Sequence, residues 1–174
     1  NGIKMSNENQ NSSLQPINNF VIFKTESGKV NIDVFYQNKT LWLTQKTIAE
    51  LFEKGRSTIT EHLKKIFEDA ELDEASVCRD FRHTAEDGKT YQTKYYNLRA
   101  ITAVGYRVNS QRAIEFRKWA TEILHEYIIK GFAMDDERLK NGGTVLTKDY
   151  FEEQLQRIRE IRLSERRLDR KSVV

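Results

Sequence analysis

The sequence predicts an α+β fold: a small antiparallel sheet and a winged helix-turn-helix-like unit packed on a long helix, followed by a helical C-terminal extension. Three patterns predict it. Val30, Ile32, Val34 and Tyr36 recur at every second position, the period of a half-buried strand. Two short amphipathic stretches within residues 44–66 are separated by a tight break, the signature of two helices meeting at an angle. Ala113, Phe116, Ala120, Ile123 and Tyr127 step by three and four along a long helix.

Residues 1–19, rich in Asn, Ser and Gln, hold too few apolar anchors to offset the entropy of ordering, and are expected to form a disordered tail. A domain is expected over residues 20–132. It opens with the apolar run Phe20-Val21-Ile22-Phe23, a turn at Glu26-Ser27-Gly28-Lys29, and the alternating stretch above, which together make a hairpin. Asn38-Lys39 turns the chain into a third short strand at Leu41-Trp42-Leu43. Thr44 is a suitable cap for a helix to about Phe52, with Ile48, Leu51 and Phe52 on its apolar stripe and Gly55 as the break. A second helix is expected to start with Ser57 or Thr58 as cap and Glu61 completing a capping box, and to bury Ile59, Leu63, Ile66 and Phe67. A short helix near Leu72 to Cys78 precedes a second hairpin, Phe81 to Thr84 against Tyr91 to Tyr95, across the turn Glu86-Asp87-Gly88-Lys89. Asn97 is expected to cap a brief helix ended by Gly105, and Ser110 to open the long helix to Lys130, closed by Gly131. Asn141-Gly142-Gly143 marks a linker over residues 133–146, and residues 147–174 read as a helical extension with coiled-coil character around Phe151, Leu155, Ile158 and Ile161.

Bulk composition narrows the functional classes. A chain of 174 residues accommodates one core with an appendage. Mean hydropathy of -0.71 and the lack of any run of 18 apolar residues argue against a membrane span, and the polar start lacks a secretory signal, so the expected location is cytoplasmic. Cys78 is the sole cysteine, and His62, His83 and His125 have no ligand spacing, so neither a disulfide framework nor a metal site is expected, and no cofactor. No nucleophile elbow, phosphate loop or metal signature points to an enzyme. A net charge of +3 supports a polyanionic partner only where the basic groups cluster.

The residues that carry a function lie in the Thr44 to Leu63 stretch. Ala49 is the small residue where two helices approach, Ile48, Phe52 and Ile59 form the core between them, and Arg56-Ser57-Thr58 opens a polar second helix. Such an opening can reach base edges while its backbone N–H groups and hydroxyls face phosphates. The expected DNA contacts are Arg56, Ser57, Thr58, Thr60, Glu61, Lys64 and Lys65, with Arg82 and Lys89 on the hairpin positioned as a wing. Glu53 and Lys54 stand where a helix-turn-helix usually carries glycine and an apolar residue, which moves the expected turn toward Gly55. Arg107, Arg112, Arg117 and Lys118 are candidates to widen the basic face. A homo-oligomer through the C-terminal helix would present two such units.

Leu41-Trp42-Leu43-Thr44-Gln45, Ile48-Ala49-Glu50-Leu51-Phe52, Arg56-Ser57-Thr58-Ile59-Thr60-Glu61-His62, Tyr95-Tyr96-Asn97-Leu98, Val104-Gly105-Tyr106-Arg107-Val108 and Phe116-Arg117-Lys118-Trp119-Ala120 together resemble the RhuM family of bacterial proteins. The resemblance runs from about Phe20 to Phe132, and its last block is similar to the phage and viral Bro-N type of domain. It implies a DNA-binding protein, often called virulence-associated and often encoded near restriction-modification or other mobile-element genes, and the function expected here is double-stranded DNA binding. RhuM-like proteins often continue into a part resembling the Fic/Doc fold. No such signature occurs in this sequence, and the ending Arg170-Lys171-Ser172-Val173-Val174, in helical texture, suggests a chain that continues. The alternative expectation is a protein-interaction or oligomerisation module that regulates such a domain.

Overall fold

The computed structural model describes residues 14–26, 28–84, 90–135, 137, 140 and 152–161. The chain divides into two compact units, Asn1–His125 and Glu126–Val174. Strands β1 (Gln15–Thr25), β2 (Gly28–Gln37) and β3 (Thr40–Thr44) are followed by helices α1 (Gln45–Leu51), α2 (Arg56–Glu68) and α3 (Glu74–Val77), then strands β4 (Cys78–Thr84) and β5 (Thr90–Asn97) by helices α4 (Leu98–Arg107) and α5 (Gln111–Lys130), in an α+β arrangement. The sheet order is β1-β2-β3-β5-β4, with every neighbouring pair antiparallel. Strand β1 begins at Gln15, ahead of the Phe20 boundary read from composition. Asn19, with φ +52, allows it, because the backbone there bulges and its N–H donates to Asp33 Oδ1 at 2.8 Å.

Register explains how the helices are held. Trp42, Leu43 and Thr44 of β3 pair with Asn97, Tyr96 and Tyr95 of β5, so α1, α2 and α3 form one excursion that leaves the sheet at β3 and re-enters it at the edge strand β4, with β5 filling the place between. As a central strand, β3 is buried on both faces through Leu41, Trp42 and Leu43. Trp42 packs edge-on against Phe81 at 5.7 Å, and Arg79 lies over its indole at 5.4 Å. Trp42 is buried, while Trp119 is half-buried against Phe23 and Phe116.

Helix starts follow the predicted caps, with one exception. Thr44 Oγ1 accepts from Thr47 N, Asn97 Oδ1 from Arg99 N and Ala100 N, and Ser110 Oγ from Ala113 N. The exception is α2. Its N-cap is Gly55, not Ser57 or Thr58, no side chain caps it, and no capping box with Glu61 forms. The reason lies one turn earlier. Helix α1 ends at Phe52, Glu53 takes the left-handed conformation at φ +53, and Lys54 N donates to Ala49 O at 3.0 Å while Glu53 N donates to Glu50 O at 3.3 Å. This is a Schellman closure built on glutamate where glycine is usual. The break is therefore at Glu53, and Gly55, with φ -66, is left to start the next helix.

Helix α2 closes in the same way, with Ala70 at φ +53, Ala70 N to Phe67 O at 3.1 Å and Glu71 N to Ile66 O at 3.1 Å. Arginines brace both closures. Arg112 Nη2 reaches Glu53 at 2.6 Å, and Arg107 bridges Asp69 at 2.9 Å and Glu71 at 2.7 Å. The hydrogen bonds it donates to Glu71 and Asp69 hold the Arg107 guanidinium above its ordinary pKa. Arg117 Nη1 donates to the carbonyls of Gly105 and Val108 at 3.0 and 2.9 Å, tying α5 to the end of α4. Arg107, Arg112 and Arg117 thus hold the fold together instead of widening a basic face; Lys118 remains exposed.

Gly105 does not end α4, contrary to the sequence reading. It lies buried inside a helix that continues to Arg107, because a Cβ there would stand 2.6 Å from Phe116 Cε1 and 2.8 Å from Phe52 Cζ. Phe116 in turn meets the rings of Phe23, Phe52 and Tyr106 at 5.5, 5.6 and 6.0 Å. Only Ala113 and Phe116 of α5 are buried. The expected core stripe stops there, since Ile123 and Tyr127 are exposed. Gly131, at φ +78, follows the helix as predicted. In the second unit residues 152–161 are helical with Leu155, Ile158 and Ile161 exposed; the linker glycines and the remainder of the extension lie outside the described residues, as does the start of the expected tail.

Two substitutions test this account. Gly105→Ala should destabilise by about 1–3 kcal/mol in urea unfolding, because overpacking against two buried rings outweighs the roughly 1 kcal/mol gain in helix propensity. Ala70→Gly should stabilise by about 0.5–1 kcal/mol, since relief of the left-handed conformation exceeds the added entropy of the unfolded chain.

Candidate functional site

Helix α2 buries Ile59, Leu63 and Ile66 completely or nearly so, at 0%, 2% and 0% exposure, against α1 and α4. Its outward side presents Arg56, Ser57, Thr60, Glu61, Lys64 and Lys65, all exposed, with Thr58 half-buried at its edge. Seven residues named from the sequence are therefore gathered on one helix. Phe67, expected among its buried residues, is only half-buried near the end of the helix.

The two hairpin residues fare differently. Arg82 is exposed on β4, opposite Gln92 of β5. Lys89 lies outside the described residues. The hairpin base is more constrained than the sequence indicated. Arg79 stacks on Trp42, and Lys94 is bound to Glu74 of α3 at 2.9 Å, a hydrogen bond that raises the Lys94 pKa.

Charge on the outward side of α2 is divided. Lys64 sits 3.6 Å from Glu68 in an exposed i,i+4 pair, a contact worth about 0.3–0.5 kcal/mol at most. On α1, Lys46 and Glu50 form a similar exposed pair at 4.0 Å. Among the described residues, no carboxylate pairs with Arg56, Lys65 or Arg82. The first-turn backbone N–H groups of α2 also have no capping side chain. Cation and backbone donors thus occur together at one helix end.

One residue that the sequence reading did not single out joins this end to the sheet. Gln45, the first residue of α1, donates from Nε2 to the Tyr96 hydroxyl at 2.8 Å. Its Oε1 accepts from Thr60 Oγ1 at 3.1 Å and from Arg56 Nε at 3.5 Å. Burial pushes the Tyr96 phenol upward in pKa, with the Gln45 hydrogen bond opposing it. Helical spacing gives no hint of such a contact, because Gln45 and Arg56 are on different helices. Only the tight Phe52 to Gly55 connection brings them together.

Desolvation pushes the Cys78 thiol up to about 12, followed in weight by the charge of Glu74, so it is a neutral thiol at physiological pH and a poor nucleophile. No group of three His, Cys, Asp or Glu that could hold a metal occurs among the described residues. His62 is half-buried on α2 and His125 exposed on α5. No helix among the described residues is long and apolar enough to cross a membrane.

The comparisons with known proteins bear on the second half of this architecture. No curated protein and no solved structure gives a significant match. The model of the Virulence protein RhuM family matches residues 76–173, from the end of α3 through β4, β5, α4 and α5. The Tyr95 to Leu98, Val104 to Val108 and Phe116 to Ala120 blocks fall within that match, and the residues of α1 and α2 precede it. Since the match spans more than half of the sequence, the chain belongs to the Virulence protein RhuM family.

Proposed function

We propose that this protein binds double-stranded DNA, with α1 and α2 acting as a helix-turn-helix and α2 entering the major groove. The observation that carries the proposal is the division of α2: three apolar residues are packed inward, while Arg56, Ser57, Thr60, Glu61, Lys64 and Lys65 face outward. A helix of 13 residues with one polar side and an uncapped start suits a groove that admits an α-helix, with its first N–H groups meeting a phosphate. Thr58 sits at the border of that surface. Arg82 and Lys89, on the β4–β5 hairpin, are proposed to contact the flanking backbone as a wing.

The structural arginines sharpen this reading. With Arg107, Arg112 and Arg117 engaged in the fold, attraction to phosphate falls to a small set of side chains around α2 and the hairpin. Glu61 lies within that set and repels phosphate, so its place is toward a base edge, where a carboxylate accepts from cytosine N4. A homodimer through the C-terminal helix is the proposed assembly, supported by the exposed Leu155, Ile158 and Ile161 at spacings of three. It would set two α2 helices on half-sites about one helical turn apart.

Binding to random and genomic duplexes at two salt concentrations tests the proposal. The wild-type chain should bind and weaken steeply with salt, whereas Arg56→Ala with Lys64→Ala should bind less tightly, with a log–log salt slope smaller by about 1 for the phosphate contact of Lys64. Thermal unfolding should be nearly unchanged, because both side chains are exposed. Equal binding by the two proteins would remove α2 as the contact surface. For the assembly, Ile158→Glu should shift sedimentation from dimer to monomer; an unchanged dimer would place the interface elsewhere.

A further inference from the structure

We infer that Gln45 is a positioning residue that holds Arg56 ready to read a guanine, and that the contrast between guanine and other bases at one position depends on this pair. The inference rests on the DNA-binding reading above and specifies it. Arg56 Nε can only donate, so the amide atom facing it at 3.5 Å is the oxygen, and the nitrogen must face Tyr96, 2.8 Å away. The single hydroxyl proton of Thr60 is shared between that oxygen, at 3.1 Å, and the Arg56 carbonyl, at 2.9 Å. The amide therefore has one orientation, with one end held by a tyrosine that is 3% exposed in a central strand.

This arrangement has a consequence for the guanidinium. Engagement at Nε leaves Nη1 and Nη2 for an incoming pair of acceptors. In the major groove guanine presents such a pair, O6 and N7, and an arginine fork on these atoms is the commonest specific contact to DNA. Arg56 is the first residue of α2, where a groove-bound helix directs its side chains to base edges. An exposed arginine ordinarily loses side-chain entropy on binding; one restrained beforehand loses less. Lys64 and Lys65, which have no partner equivalent to Gln45, are left as sequence-independent phosphate contacts.

The test starts with selection of the preferred duplex from a randomised pool by the wild-type chain. Each guanine of that duplex is then replaced singly by 7-deazaguanine, which lacks the N7 acceptor. One position should cost the wild-type chain about tenfold or more in affinity and cost Arg56→Ala almost nothing. Gln45→Met should lower the penalty at that same position at least threefold, while leaving the salt slope unchanged, since no phosphate contact is lost. Tyr96→Phe, which frees the other end of the amide without altering α1 or α2, should lower it in the same direction by less. A uniform loss for Gln45→Met with the 7-deazaguanine penalty intact would overturn the inference and leave Gln45 a packing residue. Weakened binding by Arg56→Ala with no guanine dependence would overturn it while sparing the DNA-binding reading. Failure of the wild-type chain to enrich any duplex would overturn both.

Discussion

The contact between Gly105 and the ring of Phe116 is the constraint on which the rest of the structure depends. An α-helical glycine costs roughly 1 kcal/mol in propensity, yet here it admits the aromatic edge of α5 to the backbone of α4. Phe116 then reaches Phe52 at the end of α1, Phe23 in β1 and Tyr106 in α4. One side chain thereby fixes the sheet, the long helix and the turn that launches α2. Any larger residue at 105 would displace Phe116 and, with it, Phe52, whose position sets the direction in which α2 leaves.

Two helix ends show how the chain terminates helices without glycine. Glu53 and Ala70 both occupy a conformation that costs an L-residue about 1–2 kcal/mol. At the first, the residue under strain supplies the carboxylate bound by Arg112; at the second, the carboxylates flanking Ala70 meet Arg107. These arginines come from α5 and from the end of α4, so the two ends of the α1–α2 excursion are tied to elements that follow it in sequence. The cost of each left-handed residue is offset by tertiary contacts that a local reading cannot see.

That difference marks what the sequence made legible. The second strand of the first hairpin, the Ile59, Leu63 and Ile66 stripe of α2 and the caps Thr44, Asn97 and Ser110 follow from periodicity and local hydrogen-bonding chemistry, and they appear where those rules place them. Gly55 and Gly105 were read as breakers because glycine usually is one. Each instead serves a tertiary purpose or starts a helix, since Glu53 had already ended α1 and Phe116 required space beside α4. The candidate site divides similarly. The polar side of α2 was visible as spacing, whereas the bond between Gln45 and Arg56 depends on the geometry of a short turn. The diversion of Arg107, Arg112 and Arg117 into the fold depends on partners 9 to 59 residues away.

This internal use of arginine also bears on how a chain with a net charge of only +3 could select a polyanion. A surface that relied on summed charge would be inefficient here, since Glu61 and Glu68 are interspersed with the cations of α2 and Arg107, Arg112 and Arg117 are engaged within the fold. Weak nonspecific attraction is the expected result, because each phosphate contact contributes to affinity and few are on offer. On the DNA-binding proposal, discrimination would come from geometry: donors held at fixed positions relative to a rigid scaffold, with little entropy lost when a partner arrives. The Tyr96–Gln45–Arg56 chain supplies such a connection from the central sheet to the first turn of an outward-facing helix. A protein built in this way gives up nonspecific affinity and, on the proposed reading, gains contrast between one duplex sequence and another.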